Sequence, residues 1–131
     1  MRKKKTVLCI DDDIECLELI GIVLDQGGFD CVAASGGLAG LDKIREVRPD
    51  LILLDLMMPD LNGWRVYRSV KNDEELKGIP VIVVTAKDDP QEKRMALEFA
   101  RVEDYVTKPF RLADLLIRVY RILGRIPLEA A

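Results

Sequence analysis

The sequence predicts an α/β fold in which a five-stranded parallel sheet carries helices on both of its faces. Short apolar runs alternate five times with segments whose apolar residues recur at spacings of three and four. The run before Asp55 consists of four apolar residues without alternation, as in a strand buried on both faces. With 131 residues, the chain has room for one domain of this kind and its core.

Each predicted element has its own local pattern. The strands are apolar or β-branched runs at residues 7–10, 29–33, 51–55, 81–85 and 104–107. Ser35, Asn62 and Asp89 are the expected N-caps of the second, third and fourth helices, Pro90 favours the first turn of the fourth, and Gly124 ends the fifth. The main apolar residues of the five helices are, in order, Ile14, Leu17, Ile20 and Leu24; Leu38, Leu41, Ile44 and Val47; Trp64, Tyr67 and Val70; Met95, Leu97 and Phe99; and Leu112, Leu115, Leu116, Val119, Ile122 and Leu123.

The composition excludes several classes of function. The net charge of −3 gives no general attraction to nucleic acid or to a membrane surface, and no apolar run approaches the length of a membrane span. The absence of histidine excludes Ser-His-Asp and Cys-His catalysis and a phosphohistidine on this chain. Cys9, Cys16 and Cys31 lack metal-type spacing, so we expect small core or boundary residues in a reducing cytoplasm.

Polar residues follow four of the predicted strands. Asp11 and Asp12 end the first, Asp55 the third and Thr85 the fourth, and Lys108 follows the fifth. All strands of a parallel sheet end at one edge, so these side chains should meet there. Two carboxylates about 4 Å apart repel by roughly 4 kcal/mol at an effective dielectric of 20, so the group requires a cation or a shared proton. Oxygen ligands favour Mg²⁺, and a carboxylate nucleophile with a divalent ion, an ammonium and a hydroxyl can carry out phosphoryl transfer.

Four segments of the chain resemble the receiver domain of two-component response regulators, which has a chemotaxis-regulator-like, flavodoxin-like (βα)5 fold. They are residues 7–13 (VLCIDDD), 55–63 (DLMMPDLNG), 81–86 (VIVVTA) and 104–110 (DYVTKPF). The resemblance spans residues 6–124 and implies the strand order 2-1-3-4-5. Residues 1–124 are therefore assigned to the domain and residues 125–131 to a short tail or the start of a linker. Whether the chain is a stand-alone receiver or the first domain of a longer regulator stays open.

The resemblance also implies a role for each site residue. Asp55 would accept a phosphoryl group from the phosphohistidine of a partner kinase or phosphotransfer protein. Asp12 would bind Mg²⁺ directly and Asp11 mainly through water. Asp55 and the backbone carbonyl of Met57 would also bind the metal, and Thr85 and Lys108 would contact the phosphoryl oxygens. The resemblance further implies a cis Lys108-Pro109 bond. Thr85 and Tyr105 would together form the switch. The chain would then catalyse its own phosphorylation and dephosphorylation and no other reaction.

The output surface implied by the resemblance comprises the fourth helix, the fifth strand and the fifth helix. In receivers that dimerise through this face, ion pairs cross the interface. Here Lys93 or Arg94 would meet Asp114 of a second copy, and Asp104 would meet Arg118. The other interpretation is a solvated face with an Asp114–Arg118 pair inside one helix. The turn before the fifth strand, residues 99–104, lacks the family's glycine and is one residue longer, so we expect an unusual end to the fourth helix.

Two other functions remain open. A haloacid-dehalogenase-type phosphatase would use Asp11 and Asp13 with Thr85 and Lys108, although it leaves Asp55 without a role and Glu15 in an unusual place. A receiver-fold module that binds partners without phosphorylation is the other alternative. Asp13 is otherwise expected to have a secondary role, as a cap of the first helix.

Overall fold

A computed structural model of the chain describes residues 3–124 and has the predicted α/β architecture. The strands are β1 (Thr6–Asp11), β2 (Asp30–Ser35), β3 (Leu51–Leu54), β4 (Val81–Thr85) and β5 (Asp104–Thr107). The α-helices are α1 (Ile14–Gln26), α2 (Gly37–Val47), α3 (Gly63–Lys71), α4 (Pro90–Arg94) and α5 (Leu112–Leu123). A π-helical segment, Met95–Ala100, continues α4 directly.

The five strands are parallel and lie in the order β2-β1-β3-β4-β5, which confirms the order implied by the resemblance. Ile10 of β1 pairs with Leu54 of β3, and Leu54 pairs with Val83 of β4. Every strand therefore ends at the same edge of the sheet. The residues that follow β1 and β3 lie next to each other there, because these two strands are neighbours.

Residues of the central strands alternate between two cores, one on each face of the sheet. Leu8, Ile10, Ile52 and Leu54 belong to the core covered by α2 and α3. Their sequence neighbours face the core covered by α1 and α5, and are Val7, Cys9, Leu51 and Leu53. All eight residues are at most 2% exposed. Burial on both faces explains why these strands are continuous apolar runs.

The predicted apolar faces of α1, α2, α3 and α5 are largely correct, whereas that of the fourth helix is wrong, since Met95, Leu97 and Phe99 are exposed. Leu17, Ile20 and Leu24 of α1 are buried, but Ile14 is 60% exposed. Similarly, Leu38 at the start of α2 is 59% exposed. Both residues follow the predicted spacing but lie in the first turn of their helices, and their side chains face solvent rather than the core.

Three of the predicted helix caps are confirmed and one is wrong. Asn62 accepts a hydrogen bond from the Trp64 amide (2.8 Å), Asp89 accepts one from the Gln91 amide (2.9 Å), and Asp13 accepts one from the Cys16 amide (3.3 Å). Ser35 is not the cap of α2. It lies in β2, and Gly36 occupies the N-cap position at a φ of 106°, without a side-chain cap of its own.

Asp60, from the loop between β3 and α3, takes over the capping of α2. Its two carboxylate oxygens accept hydrogen bonds from the amides of Gly37 and Leu38, both at 3.0 Å. A Cβ atom on Gly36 would come within 2.9 Å of the Asp60 carboxylate, so glycine leaves room for this contact as well as tolerating the positive φ. The first free amides of α2 are therefore satisfied from a distant segment.

The fourth helix ends unusually, as the sequence led us to expect. The π-helical segment buries Ala96, whereas Met95, Leu97 and Phe99 are 56%, 37% and 77% exposed. Arg101 then adopts a left-handed conformation (φ 61°) at the position where a glycine is usual.

The remaining predictions concern the cysteines, the membrane and the tail. Cys9 is buried, Cys16 and Cys31 are half-buried, and all three are free thiols, which confirms their place in the core or at its boundary. Within residues 3–124, no helix has both the length and the apolar character needed to cross a membrane. The predicted tail, residues 125–131, lies outside the described residues.

Candidate functional site

Three carboxylates meet at the edge where β1 and β3 end. One carboxylate oxygen from each of Asp11, Asp12 and Asp55 lies within 4.8 Å of the others. Asp11 and Asp55 are 2% and 4% exposed, whereas Asp12 faces solvent. The site thus combines two buried carboxylates, held by the sheet, with one that is open to the surface.

The loop after β3 fixes the orientation of Asp55. Asp55 Oδ1 accepts a hydrogen bond from the amide of Met57 at 3.1 Å. The start of α3 packs directly on this loop, and a Cβ atom on Gly63 would collide with the carbonyl oxygen of Asp55. Glycine at position 63 therefore permits the close approach of backbone to backbone that holds the carboxylate in place.

Lys108 lies between the two buried carboxylates. Its ammonium is 2.7 Å from Asp11 Oδ2 and 3.5 Å from Asp55 Oδ2. The bond between Lys108 and Pro109 is cis, as the resemblance implies. Burial works against the charged ammonium, but the hydrogen bond to Asp11 and the charges of Asp11 and Asp55 leave the pKa of Lys108 raised overall. Burial in turn raises the pKa of Asp11, against the opposing effect of Lys108.

Thr85 and Tyr105 approach the site from β4 and β5. Thr85 is completely buried, and its hydroxyl accepts a hydrogen bond from the amide of Lys87 at 3.4 Å. The Tyr105 ring is also buried, and its hydroxyl donates to the carbonyl oxygen of Lys87 at 2.8 Å. Burial, reinforced by the charges of Glu92 and neighbouring aspartates, raises the pKa of Tyr105 to about 12. Both residues thus contact the backbone of Lys87.

The donor set of this site fits Mg²⁺. Its side-chain ligand atoms are all carboxylate oxygens, which are hard ligands suited to Mg²⁺ rather than to softer metals. Three carboxylates face one ammonium, so the group has a formal excess of two negative charges that a divalent cation would neutralise. Asp13 does not join the group, because its side chain caps α1.

A groove of about 380 Å³ opens beside Asp55. Its lining residues are Leu56, Met57, Met58, Pro59, Asn62, Lys87 and Glu92. On its wall the ammonium of Lys87 pairs with Glu92 Oε2 at 2.6 Å, and Glu92 Oε1 accepts a hydrogen bond from Trp64 Nε1 at 3.0 Å. Glu92 has no role predicted from the sequence, and Trp64 was expected only as an apolar packing residue of the third helix. Their contact joins α3 to α4, and no local sequence pattern encodes it.

Charged residues of β5 and α5 form a network within one chain. Arg118 contacts Asp104 Oδ1 at 2.7 Å and Asp114 Oδ2 at 3.1 Å. On the helical segment before β5, Arg94 pairs with Glu98 at 3.0 Å. The intrahelical Asp114–Arg118 pair therefore exists, and Arg118 also satisfies Asp104 without a second copy of the chain.

Comparison with known proteins gives consistent matches. A family model for the response regulator receiver domain matches residues 7–120. The DNA-binding response regulator MtrA of Mycobacterium tuberculosis is 39% identical over 122 residues, which are 93% of this chain and 52% of that protein. The phosphate regulon transcriptional regulatory protein PhoB of Pseudomonas aeruginosa is 37% identical over 92% of this chain and 52% of its own length. The chain thus spans about half the length of these curated relatives.

Solved structures match over nearly their whole length. The receiver domain of the Francisella response regulator 1452 superposes with a TM-score of 0.82 at 31% identity, covering 91% of this chain and 96% of that one. The chemotaxis protein CheY4 of Vibrio cholerae gives a TM-score of 0.84 at 25% identity, covering 92% and 99%.

Proposed function

The chain belongs to the response regulator receiver domain family of two-component systems, and on that premise we propose that it is a phosphoacceptor switch whose acceptor is Asp55. The observation that carries the proposal is the juxtaposition of Asp11, Asp12, Asp55 and Lys108 at one edge of the sheet, with Thr85 at the end of the adjacent β4. If Asp11 only preceded a helix and Lys108 were only a solvated surface residue, there would be no reason for two buried carboxylates to lie on either side of one ammonium.

The proposed reaction transfers a phosphoryl group from the phosphohistidine of a partner kinase or phosphotransfer protein. A carboxylate oxygen of Asp55 bonds to phosphorus while the bond from phosphorus to the histidine nitrogen breaks. The electron pair of that bond stays on the imidazole, which takes a proton from solvent, and Asp55 becomes an acyl phosphate. Lys108 pairs with a phosphoryl oxygen, and the Thr85 hydroxyl donates to another once the switch has moved.

Asp11, Asp12, Asp55 and the backbone carbonyl of Met57 are the proposed Mg²⁺ ligands. When bound, the ion neutralises negative charge on the carboxylates and on the phosphoryl oxygens. Lys108 supplies a second positive charge at a fixed place, and the sheet edge orients Asp55. The catalysis we propose is limited to phosphorylation and dephosphorylation of the chain itself.

The proposed output is a change in the surface formed by α4, the π-helical segment, β5 and α5. Thr85 and Tyr105 both contact Lys87, so movement of Thr85 toward a phosphoryl group would alter the position of Tyr105. Relatives that match this chain are named as DNA-binding regulators, so we propose an output partner or an effector domain joined through residues 125–131. The receiver itself would make no direct nucleic-acid contact, and a cytoplasmic histidine kinase would be its donor.

The test is intact mass after incubation with acetyl phosphate, with and without Mg²⁺. We expect the wild type to gain one phosphoryl group only with Mg²⁺, and Asp55→Asn to gain none. Asp42→Asn, a substitution of an exposed carboxylate on α2, should behave as wild type. Failure to gain mass from acetyl phosphate and from a panel of phosphorylated histidine kinases would contradict the proposal and favour a binding module that works without phosphorylation.

A further inference from the structure

Glu92 pairs with the ammonium of Lys87. Lys87 lines the groove next to the proposed phosphorylation site but is not part of the proposed catalytic set. The two oxygens of Glu92 contact Lys87 Nζ at 2.6 Å and Trp64 Nε1 at 3.0 Å. The Glu92 side chain is 16% exposed and the Lys87 side chain 46% exposed. The carboxylate of Glu92, itself stabilised by two donors, raises the pKa of Lys87 first through their hydrogen bond and then through its charge. In the unphosphorylated chain, Lys87 is therefore a positive charge with a defined partner.

The backbone of Lys87 lies between the two proposed switch residues. Its amide donates to Thr85 and its carbonyl oxygen accepts from Tyr105. Its side chain lines the same groove as Leu56 and Met57, the two residues that follow Asp55. Lys87 thus contacts both proposed switch residues through its backbone and lines the groove next to the residues that follow Asp55.

Phosphorylation of Asp55 would set up a competition for this ammonium. The carboxylate carries one negative charge, whereas an acyl phosphate at neutral pH carries nearly two. The Lys87–Glu92 pair is partly exposed, so solvent weakens it and Lys87 can exchange partners. Trp64 donates a hydrogen bond to Glu92 and keeps this carboxylate in place.

We propose that Glu92 is a positioning residue that holds Lys87 against the wall of the groove and so keeps the path of water to the phosphorylated Asp55 open. The proposal rests on the proposed function and adds to it a determinant of how long the phosphoryl group persists. Without the Glu92 charge, Lys87 would pair with a phosphoryl oxygen and its alkyl chain would lie across the groove, so the acyl phosphate would last longer.

The step that Glu92 regulates in this way is hydrolysis of the acyl phosphate. The oxygen of a water molecule bonds to phosphorus while the bond from phosphorus to the Asp55 oxygen breaks. The electron pair of that bond returns to Asp55 as a carboxylate, and the water contributes its hydroxyl to inorganic phosphate and releases its other proton to the phosphate or to solvent. Obstruction of the attacking water slows this step without changing the chemistry of Asp55.

The test is a double-mutant cycle on the lifetime of the phosphoryl group. Each protein is phosphorylated with acetyl phosphate and Mg²⁺, the donor is removed by rapid desalting, and intact mass is followed with time. We expect Glu92→Gln to lengthen the lifetime by about threefold to tenfold, a usual size for coupling between charged side chains in contact. In a Lys87→Met background, Glu92→Gln should change the lifetime by less than about twofold, because the group it positions is gone.

Glu98→Gln is the matched control, since Glu98 pairs with Arg94 on the same helical segment but does not line the groove. It should leave the lifetime unchanged. The inference would be overturned if Glu92→Gln left the lifetime unchanged, or if it changed the lifetime equally in the wild-type and Lys87→Met backgrounds. In either case, a mass gain by the wild type would leave the proposed function intact. Absence of any mass gain in the wild type would overturn both. The thermal unfolding midpoint of each variant shows whether a changed lifetime comes from a destabilised fold or from loss of the positioning of Lys87.

Discussion

Met57 is 55% exposed and presents a thioether to the groove beside Asp55. A thioether is a poor hydrogen-bond partner, so it cannot orient the water that hydrolyses an acyl phosphate. We expect Met57→Asn to shorten the phosphoryl lifetime by a factor of about three to ten, because an amide in this place can hydrogen-bond that water. The measurement is intact mass followed with time after removal of the donor.

Met95→Asn is the control for this substitution. Met95 has nearly the same exposure, 56%, but lies on the π-helical segment and does not line the groove. Its replacement should leave the lifetime as in the wild type. Equal lifetimes in Met57→Asn and the wild type would show that water access at this position does not limit hydrolysis.

At the scale of single residues, sequence position was informative wherever a strand ends. Asp11, Asp55 and Thr85 could be placed together because parallel strands of one sheet end at one edge. Glu92 and Trp64 could not, since the contact between them depends on how far α4 lies from α3. That distance is set by packing of the helices on the sheet, which a periodic pattern does not specify.

At the scale of elements, the contact of Asp60 with α2 connects the loop after β3 to a helix on the same face of the sheet. The amides of Leu38 and Gly37, which donate to the carboxylate, lower the pKa of Asp60 below its ordinary value. A carboxylate with a depressed pKa in the folded state stabilises the fold fully above its unfolded pKa, about 3.9. That contribution is lost as the pH falls through the folded value.

We therefore expect Asp60→Ala to lower the thermal midpoint by a few degrees at pH 7, because two amides at the start of α2 lose their acceptors. The difference from the wild type should shrink as the pH falls below about 3.9, where the wild-type carboxyl takes up a proton. Differential scanning fluorimetry across this range measures both effects.

Asp42→Ala provides the comparison, since Asp42 is an exposed carboxylate in the middle of α2 and Asp60 acts at the start of that helix. It should have a small effect on the midpoint at every pH. A difference between Asp60→Ala and the wild type that stays constant from pH 7 to acid would mean that the charge of Asp60 does not cap α2.

The sequence was sufficient to predict the type of each element, but the way in which the helices begin and end was harder to predict. The caps at Asn62 and Asp89 lie within the helix starts they serve, so the local sequence contains both partners. The cap of α2 comes from Asp60, more than twenty residues away, and so Ser35 was the wrong candidate. The π-helical winding of Met95–Ala100 was also not evident, although the absence of glycine before β5 pointed to an unusual helix end.

At the scale of the whole molecule, the charged residues on and beside α5 can form ion pairs either within one chain or with a second copy of it. Arg118 binds Asp104 and Asp114 of its own chain. A dimer with the ion pairs proposed from the resemblance, Lys93 or Arg94 with Asp114 and Asp104 with Arg118, would have to exchange these contacts. Partly exposed pairs have small net energies, so a modest change on phosphorylation is sufficient for the exchange.

We expect the unphosphorylated chain to sediment as a monomer and the phosphorylated chain to reach about twice that mass at micromolar concentration, as for a two-fold symmetric dimer. Asp114→Lys should prevent the increase, because like charges would then face Lys93 or Arg94 across the interface. Asp42→Lys, with the same change in charge on α2, should not. A monomer under all conditions would assign the Arg118 network to the solvated surface of a single chain.

The winding of Met95–Ala100 has a consequence for how this chain is compared with its relatives. A π-helical turn closes its hydrogen bonds over five residues instead of four, so it takes in one additional residue as a local widening of the helix. This segment lies between the start of α4 at Pro90 and Val102, whose amide donates to the Ala96 carbonyl oxygen at 3.0 Å. We therefore infer that the residue by which this chain exceeds the family pattern lies within 95–100, and we expect the fold to tolerate its deletion there better than in the turn before β5.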